Sequence, residues 1–169
     1  MKKIFISLVS LLLFTSCVLH VYRFTSVNYN NSRISISAGL VNSEDEKSPV
    51  EYIGVSDVRS NVNTPHKVKI LSSTIKIIDS NNKEYIAKTN SNSGYIHIYK
   101  QGVVITDDFK AYIGKVQLDD GTIIDIPLVS FKKNVYVERY SVISDTINAG
   151  GRGKEIFSGT VEDYKKQKK

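Results

Sequence analysis

Between Arg33 and Ile143 apolar residues alternate with polar ones over short runs, and no stretch holds a 3.6-residue period. That alternation confines the chain to strands with one buried face. In Arg33 to Val41, the residues Ile34, Ile36, Ala38 and Leu40 alternate with Arg33, Ser35, Ser37 and Gly39. Val50 to Val58 is a second candidate, and His66 to Ile78 holds one or two more. Asp79-Ser80-Asn81-Asn82 has turn chemistry, and Glu84 to Lys88 returns from it. Tyr95 to Tyr99 alternates cleanly. Val103 to Ile105, Phe109 to Leu118, Ile124 to Leu128 and Val135 to Ile143 complete the series. Asp120-Gly121 is the strongest hairpin signal. Pro127 places its strand at an edge or bulge, and Lys132-Lys133-Asn134 reads as a turn. About eight or nine short strands at roughly 8–12-residue spacing predict an all-β antiparallel β-sandwich, Ig-like or similar, with a small β-barrel as the alternative. The expected core is Ile34, Ile36, Val68, Ile70, Ile75, Ile77, Ile96, Ile98, Ile124, Ile126 and Leu128.

The first seventeen residues follow other rules. Lys2 and Lys3 form a positive start, Ile4 to Phe14 is apolar and uncharged, and small Thr15 and Ser16 precede Cys17. Phe14-Thr15-Ser16-Cys17 resembles the lipobox of bacterial lipoprotein precursors, with Phe14 where that class prefers Leu. The resemblance covers the leader alone. It implies diacylglycerol on the Cys17 sulfur, cleavage before Cys17 and acylation of the new amino terminus. It also implies residence in the bacterial cell envelope. Val18, not Asp, follows the cysteine, which in a two-membrane cell implies delivery to the outer membrane, facing the periplasm. An uncleaved anchor is one alternative, but Ile4 to Leu19 falls short of the roughly 20 residues a spanning helix needs. A plain secretory signal is the other, and no A-x-A-like site is present. Cys17 has no partner for a disulfide within the chain, because it is the one cysteine. The expected organisation is a signal peptide over 1–16, a lipidated N-terminus and tether over 17–32, the β domain over 33–147, and a Gly-rich segment with a basic tail over 148–169. Part of the tether is apolar enough to dock as a first strand. Thr160 to Lys169 suits one short helix, with Thr160 and Asp163 at its start and lysines at its end.

The formal charge of +6 sits at the ends of the chain. Setting aside Lys2, Lys3, Lys165, Lys166, Lys168 and Lys169 leaves 17 basic and 17 acidic residues. A balanced body lacks the basic stripe of a nucleic-acid groove, so no nucleic-acid partner is expected.

Candidate chemistry is thin. Gly150-Gly151-Arg152-Gly153-Lys154 lacks the Ser/Thr of a phosphate loop, since Glu155 follows the lysine. The Asp79 segment opens like a calcium loop but has no glycine at the sixth position, and Asn90 stands where the bidentate Glu belongs. His66 and His97 are far apart, with no paired-histidine spacing for zinc. No Gly-x-Ser-x-Gly elbow occurs; a Ser–His–Asp set would have to assemble in space around His66 or His97. No metal, no catalytic residue and no cofactor beyond the lipid on Cys17 are expected.

Two rows are better candidates. Tyr95, His97 and Tyr99 should project from one side of their strand, with Ile96 and Ile98 opposite. Tyr136, Glu138 and Tyr140 form a second aromatic–polar row. Tyr offers a flat apolar face and a hydroxyl, suited to a sugar ring or a protein anchor. The plainer alternative is a solvated sheet face with cross-strand Tyr pairs. These features predict a lipid-anchored envelope protein acting as a binding or structural interaction module, held to the membrane by its anchor and facing a protein or glycan partner. The alternatives are an envelope inhibitor or immunity protein against one protein target, and a small periplasmic hydrolase.

Overall fold

The computed structural model describes residues 16–61, 63–90, 93–141 and 153–168. The leader over 1–15 and the glycine-rich stretch over 148–152 lie outside these residues. The chain divides into two compact units. Tyr22–Asn134 forms one, and Met1–Val21 with Val135–Lys169 forms the other.

Among the described residues twelve strands run β1 Ser16–Ser26, β2 Ile34–Leu40, β3 Val50–Asp57, β4 Val68–Ile70, β5 Thr74–Asp79, β6 Glu84–Lys88, β7 Tyr95–His97, β8 Phe109–Tyr112, β9 Gly114–Leu118, β10 Ile123–Ile126, β11 Val129–Ser141 and β12 Lys154–Thr160. Among the described residues one α-helix, α1, covers Val161–Gln167. The fold is therefore mostly antiparallel β, as the alternation predicts. The larger sheet has the order β6-β5-β8-β11-β1-β2-β3-β7, with β12 beside β11; the smaller is β10-β9-β4.

Within Tyr22–Asn134 the inward residues of both sheets share one core. It gathers Phe24, Ile34, Ile36, Ile53, Ile77, Ile96, Phe109 and Phe131 from the larger sheet with Val68, Ile70, Val116, Leu118 and Ile126 from the smaller. Nine of the eleven expected core residues are buried. Ile124 is half-buried against the core. Leu128 is the correction. It is 40% exposed and Val129 is buried instead, because Pro127 breaks the run after Ile126 and resets the alternation by one.

The chain changes sheet at defined points. Phe109 to Leu118 is not one strand. Gly114, at φ +80°, opens β9 in the smaller sheet just after β8 leaves the larger one. Pro127 marks the return into β11. Gly121, at φ +83°, closes the β9–β10 hairpin, as Asp120-Gly121 predicts. Asp79 Oδ1 accepts the backbone N–H of Asn81 and of Lys83, so the Asp79 segment is a hairpin turn.

Three other expectations change. Val103 to Ile105 forms no strand, although Val103 and Ile105 are buried. Tyr99 begins a 3-10 turn, Tyr99–Gln101, and does not extend β7. Lys132-Lys133-Asn134 is no turn; it lies inside β11. The tether docks as a first strand, as its apolar residues predict. Residues 16–26 form β1, and Tyr22 and Phe24 are buried.

In the other unit β12 pairs β11. Thr160 caps α1 by accepting the Asp163 N–H, as expected. Tyr164 packs edge-on to His20 at 5.6 Å, and its hydroxyl lies 2.7 Å from His20 Nε2.

Candidate functional site

The sheet places two polar constellations in Tyr22–Asn134. The first is aromatic. β7 pairs with β3 so that Tyr52 opposes His97 and Gly54 opposes Tyr95. Odd–even alternation then sends Ile96 inward and Tyr95 and His97 outward. Tyr95 is 46% exposed. Its ring meets that of Tyr52 edge-on at 5.4 Å, and Tyr52 meets His97 at 6.1 Å. Both tyrosines lie down over glycines. A Cβ on Gly54 would come within 2.8 Å of the Tyr95 ring, and one on Gly39 within 2.4 Å of the Tyr52 ring. The missing side chains fix the rings against the sheet.

Two grooves flank Tyr95 and share Ser93 with it. One has a volume of about 420 Å³, lined by Lys88, Thr89, Asn90, His97, Lys100 and Gln101 among others. The other, about 260 Å³, is bordered by Ser56, Ser60, His66 and Lys67 over the buried Val55 and Val68.

The second constellation is ionic. Asp57 ends β3 with its side chain fully buried. Arg59 clamps it, with Nη2 2.6 Å from Oδ2, Nε 3.0 Å from Oδ1, and the Arg59 N–H donating to Oδ1 at 2.9 Å. Arg33 bonds Asp120 at 2.5 Å, and His66 Nδ1 lies 2.6 Å from Asp119 Oδ2. These pairs fasten the 58–67 loop and the β9–β10 turn to the ends of β2 and β3. The hydrogen bonds from Arg59 pull the Asp57 carboxyl down to about 2. Asp120 is held below the usual carboxylate range, first by Thr122 and then by Arg33.

Asp57, His66 and Asp119 bring three potential ligand atoms within 4.8 Å of one another. Zinc spacing in the sequence could not show this, because the three come from different elements. The guanidinium of Arg59 already supplies the cation that Asp57 requires, so the cluster is complete as an ion-pair network. The His66–Asp119 pair also has the geometry of a base and its orienting carboxylate. Yet the Ser60 hydroxyl accepts the His66 backbone N–H, and among the described residues no hydroxyl hydrogen-bonds the His66 ring.

The network gives a pH-dependent outcome. Because the Asp57 carboxyl is depressed from 3.8 to about 2, its contribution is fully present above about pH 4 and is lost as pH falls through about 2. Asp57→Asn should therefore flatten the fall of melting temperature between these pH values. Parallel acid profiles for the two proteins would place the sensitivity elsewhere.

The remaining sequence candidates distribute as follows. Tyr99 is exposed but sits on the 3-10 turn. Tyr136 and Tyr140 belong to the other unit. Each donates its hydroxyl to Glu138, at 2.6 Å from Tyr136, and Glu138 pushes the Tyr136 hydroxyl up to about 12. Their polar ends are thus satisfied internally. Cys17 is exposed on β1. Tyr52 escaped the sequence reading, since its place beside Tyr95 depends on a pairing across some forty residues. Compared with protein-family models, curated proteins and solved structures, the chain matches none.

Proposed function

We propose that this chain is a lipid-anchored protein of the bacterial cell envelope whose β domain binds a partner through the face carrying Tyr52, Tyr95 and His97. The anchor rests on the positive, apolar leader that runs into the lone Cys17. One observation carries the binding role: the exposed Tyr95 ring is seated over Gly54 between two grooves, with the half-buried Tyr52 ring beside it over Gly39. Exposed rings held in one orientation present contact area at little entropic cost on binding. Several acyl chains on one residue would hold the protein firmly, since a single chain binds only reversibly.

Fatty-acid labelling followed by capture from solubilised envelope tests both halves. Wild type should take up label and carry a partner through capture. Cys17→Ser should take up none and stay uncleaved. Tyr95→Ala should be labelled normally but lose the partner. An unlabelled wild type would defeat the anchor, and identical capture by Tyr95→Ala would defeat the binding face.

A further inference from the structure

The two grooves beside Tyr95 share an unusual charge balance. Lys88 and Lys100 line one and Lys67 the other. Among the described residues no Asp or Glu lines either, in a body whose acids and bases otherwise cancel. His66 leans on Asp119, so the lysines carry the local positive field. The other side chains at the rims are mostly hydroxyls and amides. We propose that this trough over Tyr95 binds an acidic oligosaccharide, with sugar rings against the tyrosine and their anionic groups at Lys67, Lys88 and Lys100. The assignment rests on the reading of the aromatic face as a binding surface and names its ligand.

Two features favour a sugar over a peptide. A protein partner needs apolar pockets for its anchors. Here the apolar groups under the grooves, Val55, Val68 and Ile96, are all buried in the core and form floor, not pocket. A strand-adding peptide needs the free edge of β7. Gln101 blocks the His97 end of that edge: its side-chain amide donates to the His97 carbonyl and to the Lys88 carbonyl of β6, while its oxygen accepts the Lys88 N–H. What is left is a polar, cationic trough with one exposed ring in its middle. Such a lining matches a hydroxylated, negatively charged chain.

The test titrates full-length protein in neutral detergent with four probes: oligogalacturonate, a sulfated oligosaccharide, a neutral malto-oligosaccharide and polyglutamate. Either acidic sugar should bind better than the neutral one, and binding should weaken as salt rises. The two acidic probes tell carboxylate from sulfate preference. Tyr95→Leu and the pair Lys88→Gln with Lys100→Gln should each weaken binding by about tenfold or more, the loss expected on removing an anchor. Polyglutamate bound through these same residues would overturn the sugar assignment and leave the binding face standing. Acidic-sugar binding unchanged in the variants would overturn both. Failure of both acidic sugars to bind wild type would overturn the assignment.

Discussion

Phe131→Ala should lower the free energy of unfolding by roughly 3–5 kcal/mol, the range for truncating a buried aromatic in a site that cannot collapse. Phe131 is 1% exposed and stacks on Phe109, with centroids 4.6 Å apart and planes 10° from parallel. Phe109 in turn takes the edge of Phe24 at 5.2 Å. The three rings come from β11, β8 and β1, neighbours in the larger sheet. Hydrogen bonding fixes the spacing of those strands, so the backbone cannot close over the lost ring. The midpoint of urea unfolding should fall with an unchanged slope. Phe131→Leu keeps most of the volume and should cost much less. Equal midpoints for the Ala and Leu variants would show that the ring stack contributes little.

Much of this architecture is written in local pattern. The Ile34–Ile36–Ala38 and Ile75–Ile77 alternations, the Asp120-Gly121 turn and the Thr160 cap each need only neighbours in sequence. The rest depends on which strand meets which. Lys132-Lys133-Asn134 has turn chemistry, yet Phe131, Lys133, Val135 and Val137 are all buried on one continuous strand. The period of two runs straight through a lysine that hydropathy alone assigns to solvent. At Pro127 the opposite happens: the apolar run continues, but the loss of a backbone donor and the change of sheet put Leu128 outside.

The candidate site was legible to the same degree. Alternation alone orients Tyr95 and His97. It cannot pair them with Tyr52, because the β3–β7 register is non-local, nor show that Gly39 and Gly54 are seats for rings. A glycine inside a strand signals close approach without naming what approaches. Asp57 looks like any acid at a strand end. Its burial follows only from Arg59 folding back over it while the β9–β10 turn arrives from the far side. In Tyr22–Asn134 the described carboxylates of that network are spent on arginines and His66. The lysines beside Tyr95 lack acids in their grooves. The asymmetry separates a structural cluster from a surface open to an anionic ligand.

Lys133→Met should be the next most damaging of the substitutions considered, and its effect should appear first in loops distant in sequence. Lys133 is 6% exposed. Its Nζ donates to the Glu46 carbonyl and, at 2.6 Å, to the Thr106 carbonyl, and lies 5.6 Å from the Phe24 ring centre. One ammonium thus ties the 42–49 loop and the 106–108 turn to β11. Two effects oppose each other in the variant. Removing a buried charge relieves its desolvation, which in some proteins makes apolar replacement neutral or favourable. Those cases replace every member of the charged set. Here the acceptors are backbone carbonyls that no side-chain change removes, and each one left dry costs roughly 1–3 kcal/mol. Met fills nearly the same space, so packing changes little and the orphaned carbonyls decide the sign: the variant should be less stable. Hydrogen exchange should quicken first in the 42–49 loop and at residues 106–108, before the core strands respond. A Met variant as stable as wild type, with those loops equally protected, would mean that water or a local shift satisfies both carbonyls and that Lys133 ties nothing down.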